Sequence, residues 1–347
     1  MFDTNTRDSP GASRSAWNAA DIRGEVEHHL ARTGIATDAA VRRELAEDLT
    51  ARSIDRCVAL LDRDGVPEHI RALTSANVLQ IENDLVGGLA VRGAQSGHDL
   101  AVPAVAAAAE RSQAYLDSGQ AAAVATLAGD RPLVVVEGAA GAGKTTLLRV
   151  TRSFVTEQGH RSNVVTPTLK AAQAATIEVR TRASSAAKLA HAHGFRWDAD
   201  GTWSRLAVGD TDPKTGRIHA GPGDRIRLDQ GDLLLVDEAG MLDQDTARAL
   251  LTVADEAGAR IALVGDRHQL AAVGRGGVLD HAARWADVVP VDVIHRFIHD
   301  VTGEHGRRRT VPDVEYADLT RAMRTGKQPE AVLDALTSAQ DHADFAD

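Results

Sequence analysis

Eight residues, Gly138-Ala139-Ala140-Gly141-Ala142-Gly143-Lys144-Thr145, set glycines, a lysine and a hydroxyl at the spacing of a Walker A phosphate loop. An apolar run over residues 133–136 leads into them and a helical pattern over residues 144–156 leads out, which is the strand–loop–helix context the motif requires. Glycines let backbone N–H groups turn inward around phosphate oxygens, and the start of the following helix adds its partial positive charge. Gly138, Ala139, Ala140, Gly141, Ala142 and Gly143 then form the cradle, Lys144 reaches the β- and γ-phosphates, and Thr146 adjoins them in the first helical turn. Thr145 is placed to ligate Mg2+, so ATP and Mg2+ are the expected cofactors. The bland alternative, a glycine-rich turn that spells the motif by chance, is disfavoured by its flanks.

Phosphoryl transfer needs carboxylates as well. Leu233-Leu234-Leu235-Val236-Asp237-Glu238-Ala239-Gly240-Met241 puts an acidic pair at the end of an apolar strand, the edge where open α/β sheets bind ligands. Asp237 is placed to hold Mg2+ through water, and Glu238 to orient or deprotonate the attacking water. Alone, such a pair is a common strand end; beside a phosphate loop it becomes chemistry. The next strand runs into Gly265-Asp266-Arg267-His268-Gln269-Leu270, where Gln269 can sense the γ-phosphate and water. The one after it runs into His295-Arg296-Phe297, where Arg296 offers a further cation. Taken singly, Gln269 and Arg296 also read as solvated loop residues.

The elements that must position these groups are short apolar strands over residues 132–137, 163–167, 233–237, 260–264 and 288–293. Such runs fit parallel strands covered on both faces, and helical patterns separate most of them, so the unit is an α/β sheet of βαβ crossovers. Asp117 and Gln120 fit a capping box on the helix that opens this unit. Before it, apolar residues recur at helical spacing: Ile22, Val26, Leu30; Val41, Leu45, Leu49; Val78, Ile81, Leu85, Leu89. Asp38 and Ser75 can cap the second and third of these helices, and Gly65 and Gly93 can end them.

The expected organisation is therefore residues 1–14 disordered, 15–110 an all-helical N-terminal region, 111–300 the α/β lobe, and 301–347 a helical C-terminal extension. Phe195 to Gln230, with Trp197, Trp203 and turn residues, reads as an inserted hairpin or polar loop at about 195–230. Helical patterns are expected over residues 314–325 and 329–339, after a charged stretch holding Arg307-Arg308-Arg309.

Composition narrows the function classes. A formal net charge of −10 over 347 residues argues against non-specific coating of nucleic acid, while leaving room for a local basic track. The single cysteine, Cys57, excludes an internal disulfide and a thiolate cluster. The polar N-terminus lacks a signal-peptide core and no run approaches the ~20 apolar residues of a membrane span, so a cytoplasmic location without a membrane partner is the default. His191/His193 and His295/His299 have metal-like spacing but no third ligand in a recognisable pattern.

Taken together, Gln120, the Walker A loop, Thr166-Pro167-Thr168-Leu169-Lys170-Ala171-Ala172, Asp237-Glu238-Ala239-Gly240-Met241, Gly265-Asp266-Arg267-His268-Gln269-Leu270 and His295-Arg296-Phe297 resemble consecutive motifs of superfamily 1 DNA helicases of the RecD-like branch. They look most like the helicase portion of conjugative relaxases of the TraA/TrwC (MobF) kind, over about residues 116–324. The resemblance implies a RecA-like P-loop NTPase fold and a first motor lobe with ATPase activity, moving 5′ to 3′ on single-stranded DNA. It also implies that Gln120 recognises adenine, that Gln269 and Arg296 sense the γ-phosphate, and that Thr166 and Thr168 touch the DNA backbone.

The departures set the remaining expectations. No second lobe follows Arg324 in these residues, so the chain looks truncated relative to the family, its opposing arginine left to a second RecA-like lobe or partner chain. Tyr115 and Tyr316 stand far apart, which leaves the relaxase nucleophile cluster without a counterpart. Two other readings stay open: a P-loop phosphotransferase acting on a small molecule, and a nucleotide-binding remnant without turnover.

Overall fold

The N-terminal residues form helices where their caps dictate. The computed structural model describes residues 14–63, 65–111, 114–139, 141–179, 183–198, 201–269, 272, 274–291, 293, 298–302, 308–312, 318–319, 322–324, 326 and 329–340. Asn18 starts α1 (Ala19–Arg32) through a reciprocal capping box with Asp21, and Asp38 caps α2 (Ala39–Ile54). The second helix stops well before Gly65, because the chain then turns into β1 (Val58–Ala59), which pairs antiparallel with β2 (Leu73–Thr74). The N-terminal region is thus not all-helical. Trp17 explains the exception: its backbone exchanges hydrogen bonds of 2.9 and 3.0 Å with Leu73, and its buried indole donates to the Cys57 sulfur at 3.3 Å. Ser75 then caps α3 (Ala76–Gly93).

This third helix joins two cores. Val78 packs with Trp17, Ile22, Val26 and Leu30, whereas Leu85 and Leu89, about two and three turns on, are fully buried in the core of the α/β lobe. Burying each leucine stabilises the docked arrangement by about 1.5–3 kcal/mol. Arg92 on the same helix anchors it further, donating to Asp255 and to the carbonyls of Pro132 and Ala259.

After α4 (Val102–Arg111) and α5 (Ser118–Leu127), strands and helices alternate. They run β3 (Leu133–Gly138), α6 (Lys144–Glu157), β4 (Ser162–Thr166), α7 (Leu169–Glu178), β5 (Ser184–Ser185) and α8 (Ala186–Ala192). The hairpin β6 (Phe195–Trp197) and β7 (Trp203–Arg205) follows, where an insert was expected. Then come β8 (Leu233–Asp237), α9 (Gln244–Ala257), β9 (Arg260–Gly265), α10 (Val278–Ala282) and β10 (Val288–Val291). Six strands form one parallel sheet in the order β10-β3-β9-β8-β4-β5. Alternate residues face opposite ways: Leu133, Val135, Leu234, Val236, Ile261 and Leu263 meet α3, α8 and α9, while Val134, Val136, Leu233, Leu235, Ala262 and Val264 meet α4 to α7. Both faces are apolar, as a doubly covered parallel sheet requires.

Beyond the sheet the structure departs from the expected helical extension. Two strands, β11 (Ile298–Thr302) and β12 (Arg308–Pro312), pair antiparallel before the last helix, α11 (Pro329–Gln340). Ile298, Val301, Thr302, Thr310 and Val311 are β-branched and favour the pleated backbone, a preference that the arginines masked in the sequence. Residues 318–319 and 322–324 are helical, in the stretch where a helix was expected.

Candidate active site

All six strands point their carboxyl ends to one edge, and the chemistry-bearing loops leave from there. From β3 the chain enters the glycine loop with Gly141 at φ 85° and Gly143 at φ 72°, left-handed conformations that a side chain would resist. Gly143 caps α6 without a side-chain bond, so the helix N-terminus faces the loop unblocked. The Lys144 ammonium donates to the carbonyl of Gly138 at 3.1 Å, across the loop. Thr145 and Thr146 stand in the first turn of α6, both half-buried. Ala139 and Ala142 are buried against the core, while Ala140 lies outside the described residues.

Gln120, to which the resemblance assigns adenine, also reaches the phosphate loop. The residue is buried; its Oε1 accepts the Asp117 N–H at 3.2 Å and its Nε2 donates to the Ala142 carbonyl at 3.0 Å. Its amide thus ties the N-terminus of α5 to the phosphate loop.

The acidic pair sits two strands away, with β9 between β3 and β8. At ordinary strand spacing this is about 10 Å, room for a nucleotide's terminal phosphates. Asp237 ends β8 in register with Val264, and Glu137 pairs with Gly265, so the three strand ends line up. Glu238 has φ 56°, and no other non-glycine among the described residues has a positive φ. That conformation costs about 1–2 kcal/mol and swings the chain sharply into a single 3-10 turn, Ala239–Met241. The Glu238 N–H also donates to Asp237 Oδ1 at 2.9 Å. Two glycines let the β8 and β9 loops touch backbone to backbone. A Cβ on Gly240 would lie 2.5 Å from the Asp266 carbonyl oxygen, and one on Gly265 would lie 2.9 Å from the Ala239 nitrogen.

Gln269 follows on the β9 loop, half-buried, its N–H donating to the Asp266 carbonyl at 3.3 Å. Arg296 lies outside the described residues. Thr166, expected at a DNA surface, is fully buried with its hydroxyl bonded to the Thr168 carbonyl at 2.8 Å, so it shapes the turn. Thr168 is exposed and caps α7 through the Ala171 N–H.

Among the described residues, no group of three or more His, Cys, Asp or Glu side chains is arranged to hold a metal ion by itself. Thr145 and Asp237 offer a hydroxyl and a carboxylate, hard oxygen donors that suit Mg2+ completed by waters and phosphate oxygens. Burial pushes His191 and His193 below the usual histidine range, and His193 Nε2 lies 3.3 Å from the Ile226 carbonyl. Both are parts of the hairpin's packing. There Trp197 and Trp203 stack on each other at 4.9 Å between ring centroids.

Sequence reasoning missed a set of charges at the same edge. Glu137 and Asp266, at the ends of β3 and β9, share Arg324, and Glu137 also holds Arg267. The partners lie far apart in sequence, so no local spacing announces them.

Comparison with known proteins gives the family to which this lobe belongs. The model of the AAA domain family matches residues 115–344. A probable conjugal transfer protein TraA of Sinorhizobium fredii is 25% identical over 223 residues, covering 64% of this chain and 18% of TraA. The RecBCD enzyme subunit RecD of Mycobacterium tuberculosis is 29% identical over 234 residues, covering 64% of this chain and 37% of RecD. The chain therefore spans well under half the length of either relative. Among solved structures, the arterivirus nonstructural protein 10 helicase with DNA matches at a TM-score of 0.29 and 22% identity, covering 50% of this chain and 38% of that one.

Proposed function

The chain belongs to the AAA domain family and, within it, to the superfamily 1 helicases of the RecD and TraA type, and we propose that it binds and hydrolyses Mg-ATP at this edge to drive 5′-to-3′ movement on single-stranded DNA. One observation carries the reading: a glycine phosphate loop and an Asp-Glu pair leave one sheet edge two strands apart. Backbone N–H groups of the loop and the α6 N-terminus take the β- and γ-phosphate oxygens, and Lys144 leaves the Gly138 carbonyl to pair with them. Thr145 and Asp237 hold Mg2+, which when bound neutralises charge on the phosphates. Glu238 accepts the proton of the attacking water, aimed by its positive-φ backbone, and Gln269 orients that water. Gln120 keeps the loop in shape. Arg296 and an arginine from a second RecA-like lobe, in this or a partner chain, complete the charge around the transferring phosphoryl group; such an arginine is worth about 10³–10⁵ in rate. Thr168, exposed at the start of α7, meets the DNA backbone, and Thr166 supports it from below.

The test is ATP hydrolysis with and without single-stranded DNA, in the parent and in Glu238→Gln. Turnover that DNA stimulates and the variant loses, with Mg-ATP still bound, is the expected result. Phosphate delivered to a small-molecule acceptor in place of water would refute it.

A further inference from the structure

Two carboxylates end neighbouring strands at this edge, and one arginine from the far end of the chain binds both. Arg324 Nη2 lies 3.0 Å from Glu137 Oε1, and its Nε lies 2.9 and 3.0 Å from the two oxygens of Asp266. Glu137 gives its other oxygen to Arg267 at 2.7 Å, so it keeps a cation of its own. Asp266 is only 3% exposed and, among the described residues, pairs with Arg324 and accepts a further hydrogen bond from the His268 N–H at 2.9 Å.

The neighbours of these carboxylates make the contact consequential. Glu137 immediately precedes Gly138, whose carbonyl holds Lys144, and the Asp266 carbonyl takes the N–H of Gln269. Asp266 also faces Gly240 of the Asp237-Glu238 loop, whose Cβ would strike its carbonyl oxygen. Asp266 is therefore the point where the two loops meet. A planar guanidinium fork can bridge two carboxylates at once, which an ammonium point charge does poorly.

We propose that Arg324 is a positioning residue for the nucleotide site: it fixes the Asp266–Gln269 turn against the Asp237-Glu238 loop and so couples the segment beyond the β11–β12 hairpin to ATP turnover. The inference rests on the reading of this edge as an Mg-ATP site.

The test compares the full chain with Arg324→Gln and Arg324→Lys. Amide hydrogen exchange is first measured without nucleotide, over residues 263–269 and 318–324 and over β4 as a reference. Losing the one cation that pairs with this buried carboxylate among the described residues should speed exchange over residues 263–269 by about tenfold in Arg324→Gln, with β4 unchanged. Arg324→Lys, which keeps the charge but not the fork and guards against a variant that fails to fold, should lie between the two. In ATP hydrolysis, kcat should fall about tenfold while the Kd for Mg-ATP changes less than about threefold, because the water-orienting turn moves and the cradle stays. Exchange that rises only over residues 318–324 would overturn the proposal, leaving Arg324 as an anchor for its own segment. So would a loss in Kd with kcat intact. Should the parent itself fail to bind Mg-ATP, the reading of the site falls, while the nucleotide-free exchange still decides whether Arg324 holds the turn.

Discussion

Replacing Gln120 with alanine separates two uses of a buried amide. The side chain is 3% exposed and spans two backbone groups, the Asp117 N–H at 3.2 Å and the Ala142 carbonyl at 3.0 Å. A neutral hydrogen bond contributes about 0.5–1.5 kcal/mol net, and a buried partner left without one costs about 1–3 kcal/mol. Ala142 is fully buried, so its carbonyl has little recourse to water. The variant should therefore lose about 2–3 kcal/mol of stability, a drop readable in urea unfolding. Roughly half of that falls on the Ala142 side and loosens the phosphate loop, which weakens nucleotide binding by about five- to tenfold. Since the loss acts through the loop, it should be equal for Mg-ATP and Mg-GTP, measured by competition against a fluorescent nucleotide. A variant that binds ATP less tightly while its GTP affinity stays unchanged would refute the loop-tether role and show that Gln120 reads the base.

Two further outcomes follow from the same structure. Gly240→Ala drives a methyl to 2.5 Å from the Asp266 carbonyl, so the β8 and β9 loops must part; a loss of about 1–3 kcal/mol and of ATP turnover is expected, and an unchanged melting temperature with full activity would contradict it. His193 is held below the usual histidine range by burial, so the unfolded chain binds the proton more readily. Its contribution is present above the unfolded pKa of about 6.5 and lost as pH falls through the lower folded value. Denaturant unfolding between pH 7.5 and 5 should show stability falling faster in the parent than in His193→Gln. Parallel curves would remove His193 from the explanation.

What could be read from the residues was what is local. The phosphate loop, the capping box at Asp117 and the strand ending in Asp237 each occupy a few consecutive positions whose types dictate backbone geometry, and the structure places them as expected. Five of the six strands of the parallel sheet were legible for a similar reason, as short, mostly apolar runs, whereas β5, two serines at the sheet's edge, carried no such signal. The β1–β2 pair escaped because two-residue strands carry no periodic signal, and β11–β12 escaped because arginines dominate a β-branched stretch. Tertiary uses of side chains were invisible. Gln120 bonds to Ala142 and Thr166 turns inward to the Thr168 carbonyl only because helices and strands bring them there, and a motif match says nothing about which way a hydroxyl or amide points. Arg324 and Glu137 stand 187 positions apart, beyond the reach of any local pattern.

The most direct test of the nucleotide site is equilibrium binding of Mg-ATP to the chain and to Lys144→Ala, by calorimetry. Charge-assisted bonds from the Lys144 ammonium to phosphate oxygens are worth about 1.5–3 kcal/mol, so the parent should bind saturably and the variant about 10–100-fold more weakly. Equal affinity in parent and variant, or no saturable binding by the folded parent, would contradict the assignment of this sheet edge as an ATP site.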